Sequence, residues 1–380
     1  MTDLFTPTAI GSLALPNRVV MAPMTRARSG ADGVQGPINA EYYSQRASAG
    51  LIITESTMVS ASSVGGVNQP GLMNDAQVEG WRGVTQAVHD AGGRIFAQLW
   101  HCGRVTHSTL LGGALPVAPS ALPAAGTIFT PAGRQPYETP RALKPDEITA
   151  ILADFARAAE YAEDAGFDGV ELHGAFGYLP DQFLQSSSNQ RTDGYGGSLE
   201  NRARFMLEAV DNLIDVWGAT RVGIKLSPSN RVNGMHDAHA ADTFGYLVQA
   251  LDHRSVGYVH LVEPSPTDLA TGTVQIEHVT RLFRPMLRGA VISNGGYDKA
   301  RATAAVADGL ADLVSFGAPY VANPDLVERF HHDPVPLNAP DKATFYSGGA
   351  HGYTDYPTLD EVAEPAVTAL PATADRKSVV

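Results

Sequence analysis

The 380-residue chain has one cysteine, Cys102. A lone thiol excludes an intrachain disulfide framework and any zinc or iron–sulfur site built from several thiolates. Cations are scarce as well. Lys and Arg number 27 against 40 Asp and Glu, for a formal net charge of −13. A nucleic-acid partner needs clustered cations, so none is expected. Docking on anionic lipid is disfavoured on the same ground. Long apolar runs are missing: segments such as 19–24 and 51–53 fall far short of the ~20 residues of a spanning helix. The opening residues, Met1 to Pro7, carry no basic stretch followed by an apolar one, so no secretory signal is expected and a cytoplasmic location is the default. There is no early GxGxxG and no GxSxG nucleophile elbow. What remains is 44% hydrophobic, with 38 Gly and 25 Pro. That composition fits an acidic, loop-rich enzyme of two average domains or one large α/β unit.

One pattern recurs along the chain. An Ala-rich helical segment ends at a glycine and a short β-branched run follows. Helix ends at Gly92, Gly166, Gly218, Gly257 and Gly309 fit this description. Glycine suits a helix end because it accepts the left-handed conformation. The runs that follow are nearly continuous in apolar residues, as parallel strands buried on both faces should be. Eight strands are predicted, near 19–24, 51–54, 95–99, 170–172, 222–226, 258–262, 290–293 and 313–316. Helices are predicted at 39–47, 76–91, 146–165, 199–216, 241–251, 274–282, 299–307 and 324–330, with N-caps at Ser198, Asp298 and Asn323. Eight β/α units imply a (β/α)8 barrel; a doubly wound sheet would not need eight.

Two segments fall outside the repeat. Residues 4–15, with Gly11 in the middle, read as a β-hairpin closing the barrel floor. Residues 101–145 form an insertion after the third strand, with seven prolines and five glycines, expected as a structureless loop over the barrel mouth. The expected organisation is one barrel domain over 1–360 and a flexible tail over 361–380.

Barrels put their chemistry at the C-terminal ends of the strands. Those positions hold Pro23, Met24, Thr25, Glu55, Ser56, Gln98, Trp100, His101, His173, Phe176, Tyr178, Lys225, Glu263, Asn294, Gly295, Gly296, Ser315, Phe316, Gly317 and Ala318. The two late glycine turns, after strands seven and eight, each precede a helix and offer backbone N–H groups to a phosphate. Simple tight turns are the alternative. Thr25, Gln98 and Lys225 can hydrogen-bond a planar polar heterocycle. A metal is not expected: His236 and His239 have ligand-like spacing but no third ligand. Taken alone, His173 reads as a satisfied structural histidine at least as readily as a catalytic one, and Tyr178 and Trp100 as packing residues.

Several stretches resemble the Old Yellow Enzyme family of FMN-dependent ene-reductases. They are NRVVMAPMTR at 17–26, AQLWHCGR at 97–104, GVELHGAFGYL at 169–179, NQRTDGYGGSLENRAR at 189–204, ANPDLVER at 322–329 and GYTDYP at 352–357. The resemblance implies FMN at the barrel mouth and NADH or NADPH as hydride donor. Pro23, Met24 and Thr25 would line the flavin, with Gln98 on its pyrimidine part and Ser56 close by. Lys225 would face the N1/O2 edge, and Asn294, Gly295, Gly296, Gly317 and Ala318 would surround the phosphate. The family passes hydride from reduced flavin to the β-carbon of an activated alkene. Tyr178 matches its proton donor to the α-carbon, and His173 its donor to the substrate's carbonyl or nitro oxygen. Trp100 and Tyr346 match pocket walls. The implied partner is a small activated alkene, and the assembly a monomer or homodimer.

Three positions depart from the family pattern. Phe176 stands where the family has asparagine or histidine beside the substrate oxygen, so one oxygen donor is lost. Weakened activity toward ordinary enones follows more naturally than an inactive site. Lys225 replaces the usual arginine and keeps its charge without the planar fork. Ala318 replaces an arginine often aimed at the phosphate. Two competing readings remain at this level: a flavin-free barrel lyase or isomerase using His173 and Tyr178, and a flavin-binding barrel with altered or no catalysis.

Overall fold

In a computed structural model the described residues are 2–363. An antiparallel hairpin opens the chain, β1 (Thr8–Ile10) and β2 (Leu13–Leu15). Gly11 turns it at φ +56°, and a Cβ there would fall 2.4 Å from Thr220 Cβ, so both the turn and the close approach require glycine. Next come β3 (Val19–Met21), β4 (Leu51–Ile53), the short β5 (Thr57–Met58) and β6 (Ile95–Trp100). The insertion carries β7 (Val117–Ala118), β8 (Thr127–Thr130), β9 (Gly133–Pro136) and β10 (Arg141–Ala142). The remaining strands are β11 (Gly169–Gly174), β12 (Val222–Leu226), β13 (Tyr258–Val262), β14 (Ala290–Asn294) and β15 (Leu313–Phe316).

Strands β3, β4, β6 and β11 to β15 pair in parallel in that order, and β15 pairs again with β3. The eight-stranded barrel expected from the repeat is the one that forms. Strands β6, β11, β12 and β13 are buried at every position, which explains their lack of alternation. Inside, Val20, Leu51, Ile53, Phe96, Tyr258, Ile292 and Leu313 pack with Ile10, Leu13 and Leu15 of the hairpin. The hairpin therefore plugs the floor. Burying each such side chain contributes roughly 1.5–3 kcal/mol. Outside, the long helices Asp75–Asp90, Pro145–Asp164, Leu199–Trp217 and Ala240–Arg254 each bury one face against the sheet. Ser198 and Asp298 cap their helices through side-chain oxygens, as expected. Among the described residues no helix is long and apolar enough to cross a membrane.

Five details differ from the sequence reading. Asn323 does not cap the last barrel helix; it follows a separate helix, Ala318–Ala322, and Asp325 precedes Leu326–Arg329. The sixth helix is reduced to Val279–Phe283, because Glu263 accepts hydrogen bonds from the backbone N–H groups of Val279 and Thr280 and starts the helix there. At the end of Ala240–Arg254, Ser255 rather than Gly257 takes the left-handed conformation. Gly257 is needed for close approach instead: a Cβ would lie 2.5 Å from the Thr220 carbonyl oxygen. The 101–145 insertion is not structureless. It carries the β8–β9 hairpin and the parallel β7–β10 pair, and Arg191 holds down the second of these by donating to the Pro119 and Leu143 carbonyls. Of the expected tail, 361–363 end a short helix, Leu359–Ala363, and 364–380 lie outside the described residues.

Candidate active site

The mouth is shaped first by what holds its loops. The segment after β3, carrying Pro23, Met24 and Thr25, is fixed by Glu55. That buried carboxylate accepts from the backbone N–H groups of Arg26 and Ala27 at 3.0 and 3.2 Å. Burial raises its pKa while those same bonds oppose the rise. Glu55, noted as a strand-end residue, is thus a loop anchor. His101 serves a similar purpose at the insertion base: it accepts from the Gly103 N–H at 3.0 Å, and burial lowers its pKa to about 3.

His173, Phe176 and Tyr178 follow one another at the end of β11. The His173 and Tyr178 rings meet edge to face at 4.8 Å, and Trp100 meets Tyr178 at 5.0 Å. His173 Nδ1 accepts from the Ala175 N–H at 3.4 Å. Burial, helped by the neighbouring Lys225 charge, pushes the His173 pKa well below its ordinary value. The ring is therefore neutral with its proton on Nε2, a donor. Burial raises the Tyr178 pKa far above the phenol range, so it keeps its proton.

Phe176 has φ +56°, a region that bulky side chains rarely adopt and asparagine tolerates. The turn is pinned on both sides: its N–H donates to Ser227 Oγ at 2.7 Å, and its carbonyl accepts from Asn233 Nδ2 at 2.9 Å. Asp181 adds a bond from the Gly177 N–H at 2.9 Å, and burial pushes this carboxyl up to about 7. Lys225 Nζ lies 5.5 Å from the Phe176 ring centroid. Lys225 is 4% exposed, and burial lowers its pKa to about 8, opposed by Glu171.

Around the polar half of the mouth, Ser56 donates to Gln98 Oε1 at 3.0 Å and Gln98 Nε2 donates to Glu171 at 2.7 Å. Asn294 donates to Ser315 Oγ at 2.8 Å. Gly295 has φ +120°, and a Cβ there would lie 2.6 Å from the Glu263 carbonyl oxygen. The backbone N–H groups of Gly295, Gly296, Gly317 and Ala318 find no acceptor among the described residues. Four free donors at adjacent turns suit a phosphate. Arg301 reaches the same turn, donating to the Gly296 carbonyl at 2.6 Å. It supplies a nearby cation where Ala318 supplies none. Tyr346 stands apart, 66% exposed, on a segment whose carbonyls at Thr344, Ser347 and Gly349 are gripped by Arg28.

Sequence reasoning missed Glu171, His260, Arg301 and Ser227, and gave Ser315 no role beyond its place at a strand end. Glu171, His260 and Ser315 sit inside apolar strands, where a polar residue is itself an available signal. Ser227 and Arg301 had no local signal.

A buried cation, paired amides and free backbone donors around one barrel mouth fit an anionic heterocycle carrying a phosphate. The family model described as NADH:flavin oxidoreductase / NADH oxidase matches residues 3–335.

The chain belongs to this family.

It is an FMN-dependent, nicotinamide-driven oxidoreductase of the Old Yellow Enzyme type. It is 44% identical over 369 residues to 12-oxophytodienoate reductase 1 of Oryza sativa, covering 96% of this chain and 95% of that protein. A flavin oxidoreductase of Emericella nidulans is 40% identical over 94% of this chain and 98% of its own length. The solved structure of morphinone reductase with tetrahydroNAD superimposes with a TM-score of 0.90 at 48% identity, covering 96% of this chain and all of that one. The Old Yellow Enzyme homologue from Zymomonas mobilis gives a TM-score of 0.90 at 42% identity over 94% of this chain.

Proposed function

We propose that the protein reduces the C=C bond of small α,β-unsaturated carbonyl or nitro compounds, with residues 1–360 acting as one FMN-binding unit. The observation that carries this reading is the pair His173 and Tyr178, one a neutral donor and one a protonated phenol, with rings 4.8 Å apart on one wall. FMN, when bound, supplies hydride to the alkene β-carbon after receiving it from NADH or NADPH. Everything else falls to the protein's own side chains and backbone. His173 Nε2–H holds the substrate's oxygen, where negative charge builds as hydride arrives; one such preorganised donor lowers the barrier by ~3–4 kcal/mol. Tyr178 gives its proton to the α-carbon and is kept ready by its raised pKa. Trp100 walls the pocket, with Tyr346 at its outer edge. On the cofactor side, Pro23, Met24 and Thr25 line the ring, and Gln98, with Ser56, holds the pyrimidine. Lys225 offsets charge at the N1/O2 edge. Asn294 and the free amides of Gly295, Gly296, Gly317 and Ala318 hold the phosphate, aided by Arg301.

A second reading is favoured by Phe176, which places an apolar ring where a second oxygen donor would sit. On that reading the barrel binds FMN but reduces ordinary enones weakly. Relatives named as reductases of 12-oxophytodienoate and of morphinone support a small organic substrate. We place the protein in the cytoplasm, as a monomer or homodimer. Anaerobic stopped-flow spectroscopy tests the function. NAD(P)H should bleach the bound flavin, and an enone, maleimide or nitroalkene should restore its colour. A flavin that no alkene in such a panel reoxidises would reject alkene reduction.

A further inference from the structure

Glu171 and His260 lie wholly buried inside the barrel, 2.9 Å apart. They are outside the reaction just described, yet one chain of hydrogen bonds joins them to the mouth at both ends. Burial keeps His260 below its ordinary pKa, so it is neutral with a single N–H. The Glu171 carboxylate facing Nδ1 only accepts, so that proton sits on Nδ1. His260 Nε2 must then accept from Ser315 Oγ, at 2.8 Å. Ser315 Oγ in turn accepts from Asn294 Nδ2, at 2.8 Å. At the other end, Gln98 Nε2 donates to the second Glu171 oxygen at 2.7 Å, and Gln98 Oε1 accepts from Ser56 at 3.0 Å. Every donor along the chain points toward Glu171.

The direction has a consequence for two amides. A flipped Gln98 would set its Oε1 against a carboxylate oxygen, and a flipped Asn294 would face Ser315 Oγ after that hydroxyl has given its proton to His260. Gln98 therefore has one permitted orientation, decided at Glu171, while for Asn294 the chain reinforces the Ser315 backbone carbonyl, which accepts from the same amide at 3.1 Å. Among the described residues Gln98 is left with one N–H and one lone pair, and Asn294 with its Oδ1.

We propose that Glu171 and His260 are positioning residues that, from inside the barrel, set which atom of Gln98 is presented to FMN and reinforce the orientation of Asn294. This rests on the reading that FMN occupies the mouth. Glu171 also places a negative charge near Lys225, and so tempers the positive potential at the cofactor's ring.

The test uses apoprotein titrated with FMN and the midpoint potential of the reconstituted flavin. Glu171→Gln keeps shape but removes the charge that selects the Gln98 orientation. FMN affinity should fall roughly ten- to a hundredfold, the loss of a charge-assisted hydrogen bond, and the potential should rise. Glu171→Asp should recover most of both. Ser315→Ala removes one hydroxyl at the far end and should weaken FMN binding severalfold. If Glu171→Gln does not fold, Ser315→Ala decides. Variants that bind FMN as tightly as the parent at an unchanged potential, whatever their melting temperatures, would overturn the proposal. A parent apoprotein that fails to bind FMN would overturn the functional reading as well, so the two failures are distinct.

Discussion

Beneath the mouth, Ser56, Gln98, Glu171, His260, Ser315 and Asn294 form one directed chain of hydrogen bonds. On the wall above, His173, Tyr178 and Trp100 meet ring to ring, and the Trp100 indole N–H has no partner among the described residues. Phe176 is held there in a strained turn. The contrast follows from what each region must do. A cofactor that stays bound is matched by fixed donors, since an amide in the wrong orientation costs binding each time. A substrate that comes and goes needs a cavity with few satisfied polar groups, whose donors are free to be used in the transition state.

The comparison can be broken from either side. The largest effect belongs to Tyr178→Phe, which should slow the alkene step by ~10²–10⁴-fold while leaving flavin reduction by NAD(P)H nearly unchanged. Separate stopped-flow half-reactions read the two; equal slowing of both would remove Tyr178 from the proton-donor role. His173→Leu should cost ~10²–10³-fold in the alkene step, with apoprotein affinity for FMN retained.

Acid should strain both regions. His173 and His260 are buried neutral, with folded-state pKa values below the ordinary 6.5. The unfolded chain therefore binds more protons below that pH. Their share of stability is intact above about 6.5 and is lost as pH falls, at up to about 1.4 kcal/mol per pH unit for each ring. Urea denaturation at pH 7 and pH 5 measures the slope, and His173→Leu should flatten it. A slope unchanged by that substitution would contradict the neutral assignment.

Phe176→Asn sharpens the contrast by adding a donor and relieving the left-handed strain. It should raise stability by ~1–2 kcal/mol and speed reduction of cyclic enones severalfold. Slower turnover on a substrate panel would show that Phe176 does not stand in for a lost oxygen donor. Lys225→Arg should have the smallest effect. FMN affinity should change little, but the parent's flavin potential should bend near pH 8, where lysine loses its charge, and the arginine variant's should not.

The barrel was legible because its signal is repeated. Eight short apolar runs recur, most of them just after a helix end, so the repeat does not rest on any single one. Boundaries failed where a distant side chain decided them: Glu263 set the start of the sixth helix, and Ser255 took the left-handed position without a glycine. The insertion looked structureless because its strands are only two to four residues long, one pair forms across 24 residues, and Arg191, distant in sequence, secures that pair.

The barrel, the hairpin floor and the family are written in the residues themselves, because strand burial, glycine turns and contiguous motifs are local properties. The sequence also placed most of the candidate site residues at strand ends. Tertiary structure alone decided the protonation of His173, the strain at Phe176, the free donors and Arg301 at the phosphate turns, and the chain that ends on Glu171. Each of these depends on burial or on partners far apart in sequence. The scarcity of cations shows the same division. A chain with a net charge of −13 can present an anion with only the few positive groups that folding brings together, Lys225 inside the mouth and Arg301 at its rim.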